Sequence, residues 1–179
     1  MIVDEIFALF AALGSGLYGE DVSLERHMLQ SAAMARALDA GDVLVAAALL
    51  HDVGHFLHPE GAEAALAGRD IAHEALGAAW LSRGFGPEVT APVALHVAAK
   101  RYLCAVEPDY YATLSDASKL SLAAQGGAMD DGEAAAFEKR PGYAAAVLLR
   151  RCDDRGKDIG TETAPLEGYR ALLTALARA

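Results

Sequence analysis

Three of the six histidines, His51, His55 and His58, fall within eight residues of the stretch AALLHDVGHFLH, and Asp52 stands beside the first of them. The run before them reads as buried apolar helix. Imidazole and carboxylate groups are costly to bury unless they are paired or bound to a metal. Of the remaining histidines, His27 neighbours Met28 and Leu29, His73 sits between Ile71 and Leu76, and His96 lies within VALHVAA. His27, His51, His73 and His96 therefore fall in four separate predicted helices, each on or near an apolar face. One such histidine is ordinarily a hydrogen-bonded core residue. Four of them with Asp52 point to ligands converging inside a bundle. Side chains at adjacent helical positions such as His51 and Asp52 diverge by about 100°, but at a helix end both can still grip one ion. A carboxylate has two oxygens and can bridge two ions, which an imidazole cannot. Five ligands exceed what one ion with open positions needs, so two metals with Asp52 between them are expected. A further carboxylate is expected from LLRRCDD, where Asp153 continues the apolar run of Val147, Leu148 and Leu149 and Arg150 lies three residues earlier on the same face.

The elements that must position these residues read as helices throughout. Apolar residues recur at helical spacing over 2–13 and stop at Gly14. Ser23 can cap a second helix reaching about residue 38, with Glu25 at its positive end. Gly41-Asp42 opens a third, which runs from Val43 into HDVGH, where Gly54 loosens or ends it. Asp70 is the expected cap of a fourth over 71–82. Pro87 suits the first turn of a fifth that reaches Tyr102, with Pro92 near its start or kinking it. TLSDASKLSLAAQGG holds a sixth, DGEAAAFEK a short seventh, and Pro141 starts the last, GYAAAVLLRRCDD. The stretch HPEGAEAALAGRD reads as loop with a short turn. The expectation is an all-α bundle of about seven or eight helices in one domain over 1–179.

Composition narrows the class. The 179 residues are 54% hydrophobic, enough for a sizeable core, and the abundance of alanine favours helix over strand. A net charge of −10 argues against nucleic acid as a partner, because a phosphate backbone needs a basic face. Two cysteines, Cys104 and Cys152, make no disulfide framework, which favours a reducing, cytoplasmic setting. No apolar run reaches the roughly 18 residues of a membrane span, and Asp4 and Glu5 stand where a signal peptide would carry basic residues.

The order His27, His51-Asp52, Asp153 resembles the H…HD…D signature of the HD-domain superfamily, a group rich in metal-dependent phosphohydrolases. The additional His73 and His96 resemble its two-metal subset. The flanking stretches YGEDVSLERHMLQSA, HDVGHFLH, HEALGAAWL and HVAAKRYL resemble the HD-domain oxygenases of phosphonate catabolism, over about residues 5–155.

That resemblance implies an HD-domain helical bundle holding a mixed-valence di-iron centre, Fe(II)/Fe(III), with O2 as co-substrate. The activity implied is cleavage of the C–P bond of a 1-hydroxy-2-aminoethylphosphonate, with a free amine or an N-trimethyl head. Phosphate and glycine or glycine betaine would be released. One iron would take His27, His51, Asp52 and Asp153, and the other Asp52, His73 and His96. Lys100, Arg150, Ser118 and Ser121 would hold the phosphonate, with His55 hydrogen-bonding substrate. Lys100 lies four residues after His96 and Arg150 three before Asp153, each one helical step from an expected ligand. Glu20 would meet the substrate's amino group, and Tyr18 would gate the open iron position. The organophosphonate would come from a hydroxylase that installs the 1-hydroxyl. The main alternative is a two-metal HD phosphohydrolase acting on a nucleotide or other phosphate ester; an acidic Glu20 suits an amine better than a second phosphate.

Overall fold

The computed structural model describes residues 1–17 and 21–178, apart from the side chains of Ala62 and Ala65. The order is α1 (Ile2–Leu13), α2 (Leu24–Ala37), α3 (Asp42–Leu50), α4 (Gly54–Leu57), α5 (Gly61–Leu66), α6 (His73–Leu81), α7 (Pro87–Val106), α8 (Tyr110–Thr113), α9 (Asp116–Ala124), α10 (Asp131–Phe137), α11 (Tyr143–Arg155), a 3-10 turn (Leu166–Tyr169) and α12 (Arg170–Leu176). Among the described residues the extended pairing is limited to one isolated bridge, Leu17 with Ser23. The all-α expectation holds.

The helix α3 is apolar on every side, and Leu44 through Leu50 are all buried. A helix of that kind belongs at the centre. It packs against α2 and α7, and α11 closes the group by packing on both α2 and α7. The main core joins Met28 and Ala32 of α2, Leu49 and Leu50 of α3, Val89 and Val93 of α7, and Leu149 and Cys152 of α11. A smaller cluster, Leu103, Tyr110, Leu114 and Leu122, seats α8 and α9 on the C-terminal half of α7.

Local chemistry sets most of the boundaries. Ser23 accepts a hydrogen bond from the Arg26 amide and caps α2 as expected. Pro87 occupies the first turn of α7, and the helix continues through Pro92 to Val106. Three expectations are corrected. The fourth predicted helix begins at His73, because Asp70 caps a turn by accepting from the Ala72 amide at 2.9 Å and Ala72 adopts a left-handed φ of 49°. The stretch after His58 contains α5. Beyond the last predicted helix the chain returns to the core, where Tyr169 and Leu173 are fully buried.

Candidate metal centre

The six expected ligands are delivered by five parts of the bundle. His27 sits in the first turn of α2, four residues after its cap. His51 and Asp52 occupy the turn where α3 stops, His73 opens α6, His96 is midway along α7, and Asp153 is in the last turn of α11. All six are buried. Two glycines let the elements close this far. A Cβ on Gly54 would lie 1.9 Å from the His73 carbonyl oxygen, so only glycine lets α4 lie against the start of α6. A Cβ on Gly156 would lie 2.4 Å from Ser31 Oγ, where α11 ends against α2.

The geometry splits the donors into two groups about one carboxylate. Asp52 Oδ2 is 3.5 Å from His27 Nε2 and 3.4 Å from His51 Nε2. Asp52 Oδ1 is 3.3 Å from His73 Nε2 and 3.5 Å from His96 Nε2. Asp153 joins the first group, with Oδ1 3.4 Å from His27 Nε2. Within each histidine pair the Nε2 atoms are 3.1 Å apart. Donors about 2 Å from a shared ion stand roughly 3 Å from one another, which these separations match.

Tautomers sharpen the point. The Nδ1 atoms of His27, His51 and His96 lie 2.8 Å from the carbonyl oxygens of Gly156, Ala48 and Val93. A carbonyl only accepts, so each Nδ1 carries the proton and each Nε2 presents a lone pair. Two lone pairs facing each other at 3.1 Å, as in His27 and His51, repel unless a cation lies between them. Burial pushes the His27 imidazole down, but Asp153 and then Asp52 outweigh it and raise its pKa to about 9. Burial opposes ionisation of Asp52, yet His51 and the hydrogen bonds around it hold the carboxyl well below its usual range. Asp153 is likewise held low, against burial, chiefly by Arg150. Imidazole nitrogen with carboxylate oxygen fits iron and other first-row divalent metals.

A cavity of about 80 Å³ opens on this centre, between Asp52, His73 and His96 on one side and α9 with the end of α11 on the other. Lys100 is buried and donates to Ser121 Oγ at 2.7 Å. Burial, then repulsion from Arg150, brings its ammonium down to about 7. Arg150 donates to Asp153 Oδ2 at 2.7 Å, to Ser118 Oγ at 3.4 Å, to the Tyr110 hydroxyl at 3.1 Å and to Asp154. Tyr110 in turn donates to Asp154 Oδ2 at 2.5 Å. His55 stacks on His73 with ring centroids 4.1 Å apart, and burial followed by the charge of His73 pushes its pKa down to about 3. His58 accepts from the Glu60 amide and does not line this cavity. Tyr18 and Glu20 lie outside the described residues.

Three polar lining residues escaped the sequence reading: Arg69, Gln125 and Lys157. Gln125 follows Ser121 by four residues and Ser118 by seven, a helical repeat that could have found it. Lys157 follows the break at Gly156, so helical spacing from Asp153 gives no guide to it.

Comparison with known proteins agrees with this geometry. The family model described as HD domain matches residues 24–121. A hydroxymethylphosphonate dioxygenase of Gimesia maris is 45% identical over 168 residues, covering 93% of this chain and 84% of that protein. A glycine-betaine-forming [1-hydroxy-2-(trimethylamino)ethyl]phosphonate dioxygenase of Leisingera caerulea is 42% identical over 163 residues, 90% of this chain and 83% of its own length. The uncharacterized protein L432 of Acanthamoeba polyphaga mimivirus is 31% identical over 174 residues, 96% of this chain and 80% of its own length. Two pairs of buried histidines about a shared aspartate, with buried cations beside them, thus sit in a chain that belongs to the HD-domain family, in its branch of phosphonate dioxygenases.

Proposed function

We propose that this chain binds two iron ions and uses O2 to cleave the C–P bond of a 1-hydroxyphosphonate, releasing phosphate and a carboxylic acid. The single observation that supports this most strongly is the placement of Asp52, whose two oxygens each face one histidine pair beside a cavity lined by buried cations. His27, His51, Asp52 and Asp153 would hold one ion, and Asp52, His73 and His96 the other. Bound iron would supply the redox chemistry that activates O2, which no side chain here can supply.

The side chains bind, orient and exclude water. Arg150 is locked by Asp153, Asp154 and Tyr110 before substrate arrives, so little conformational entropy is lost when it meets a phosphonate oxygen. Lys100 approaches from α7, and Ser118 and Ser121, one turn apart on α9, add hydroxyls. His55 is uncharged at neutral pH and serves as a hydrogen-bond partner for the substrate's hydroxyl. The substrate class implies that a hydroxylase supplies the 1-hydroxyl. No described helix is long and apolar enough to cross a membrane, and the two free thiols suit a cytoplasmic enzyme.

The head group turns on Glu20. Among the described lining residues the carboxylates are Asp52 and Asp153, both directed at the metal centre. An amine would therefore need Glu20, whereas hydroxymethylphosphonate needs no such partner. The test is product analysis on three substrates under air: hydroxymethylphosphonate, 1-hydroxy-2-aminoethylphosphonate and its N-trimethyl form. Formate, glycine or glycine betaine would name the head group. Glu20→Gln should impair only the amine substrates. Phosphate release that proceeds equally without O2 would instead establish the hydrolase.

A further inference from the structure

Beyond α11 the chain crosses α2 as a strap over residues 156–161, and α2 grips it along its length. Gly156 accepts from His27 Nδ1 at 2.8 Å. The buried Gln30 amide donates to the carbonyls of Asp158 and Thr161 at 2.5 and 3.0 Å, and its oxygen accepts from the Asp158 amide at 3.0 Å. Arg26 donates to the carbonyls of Ile159 and Thr161. Lys157 lies between these anchors and is turned into the cavity, where it donates to Ser118 Oγ at 2.8 Å and Ser115 Oγ at 3.4 Å.

Ser118 Oγ thereby receives hydrogen bonds from two cations on different elements, Lys157 and Arg150. Both of its lone pairs are engaged, which leaves its own proton to donate to a ligand oxygen. Lys100 holds Ser121 one turn along the same helix. Arg150 already faces Asp153 and Asp154, so the positive charge for a dianion must come largely from the two lysines.

We propose that Lys157 is a third cation of the anion cradle, binding the phosphonate oxygens beside Lys100 and Arg150, and that Gln30 is the residue that positions it. This rests on the substrate class proposed above. The test uses the metal-loaded enzyme, with inorganic phosphate as a calorimetric probe and steady-state kinetics on the phosphonate that turns over. A charge-assisted hydrogen bond to an anion corresponds to about tenfold or more in affinity. Lys157→Met should weaken phosphate binding and raise KM by that factor, with kcat changed by less than about threefold and metal content unaltered. Lys157→Arg should recover most of the affinity, and Gln30→Leu should fall between. Phosphate binding by Lys157→Met within about twofold of wild type would overturn the proposal, as would an arginine variant no better than the methionine one. Calorimetry needs no turnover, so a protein that consumes no O2 would refute the proposed reaction while the role of Lys157 was still decided.

Discussion

Asp52 makes its two oxygens unequal partners of the same centre. Removing His73 or His96 strips the group on Oδ1 and leaves the other, built from His27, His51 and Asp153, intact. His73→Ala or His96→Ala should therefore drop the metal content of the loaded protein from two ions per chain to one and abolish turnover. Full turnover with one ion would refute the two-metal assignment. Lys100 gives a pH prediction. Its folded pKa lies near 7, so the cation is present below that value and lost above it. Affinity for an anionic substrate should fall as pH rises through about 7, seen as a rising KM. Lys100→Arg, which stays charged, should flatten that rise; an unchanged profile would show that Lys100 does not set it. The histidines and aspartates of the site were legible because their residue types are costly to bury and the four histidines mark four separate predicted helices. Lys157 was not, because an exposed-looking lysine after a glycine break carries no periodic signal.

At the scale of elements, the centre depends on where helices stop. The regular helix α3 ends at Leu50 and leaves His51 and Asp52 in the turn before α4, and the left-handed Ala72 delays α6 so that it opens on His73. The sequence marked the first break through Gly54 but placed the second two residues early, because Asp70 is as good a turn former as a helix cap. The short α5 and the C-terminal α12 were missed because each has only six or seven residues, too few for a clear period. Gly54→Ala would drive a methyl into the His73 backbone, which cannot rotate away. Destabilisation of about 1–3 kcal/mol is expected, with the His73–His96 metal lost before the other. Thermal unfolding with metal analysis checks this, and a variant with both ions and an unshifted midpoint would contradict it.

For the whole molecule, four histidines and two aspartates buried at the junction of α2, α3, α6, α7 and α11 are a liability that bound cations relieve. Ions that bind only the folded chain at a hundred times their dissociation constant stabilise it by about 2.7 kcal/mol each. For a domain of this size, with two ions removed, chelation should lower the melting temperature by roughly 10–20 °C. Reloading should restore it, and an unshifted midpoint would mean the cluster is stable without metal. The central claim is that two irons couple O2 consumption to C–P cleavage. The most direct measurement follows O2 and phosphate together in one sealed cell of Fe(II)-loaded protein given hydroxymethylphosphonate or the 2-amino-1-hydroxy analogues. One O2 consumed per phosphate released, and no phosphate without O2, is the expected result. Phosphate released without O2, or neither change on protein shown to hold two irons, would contradict it.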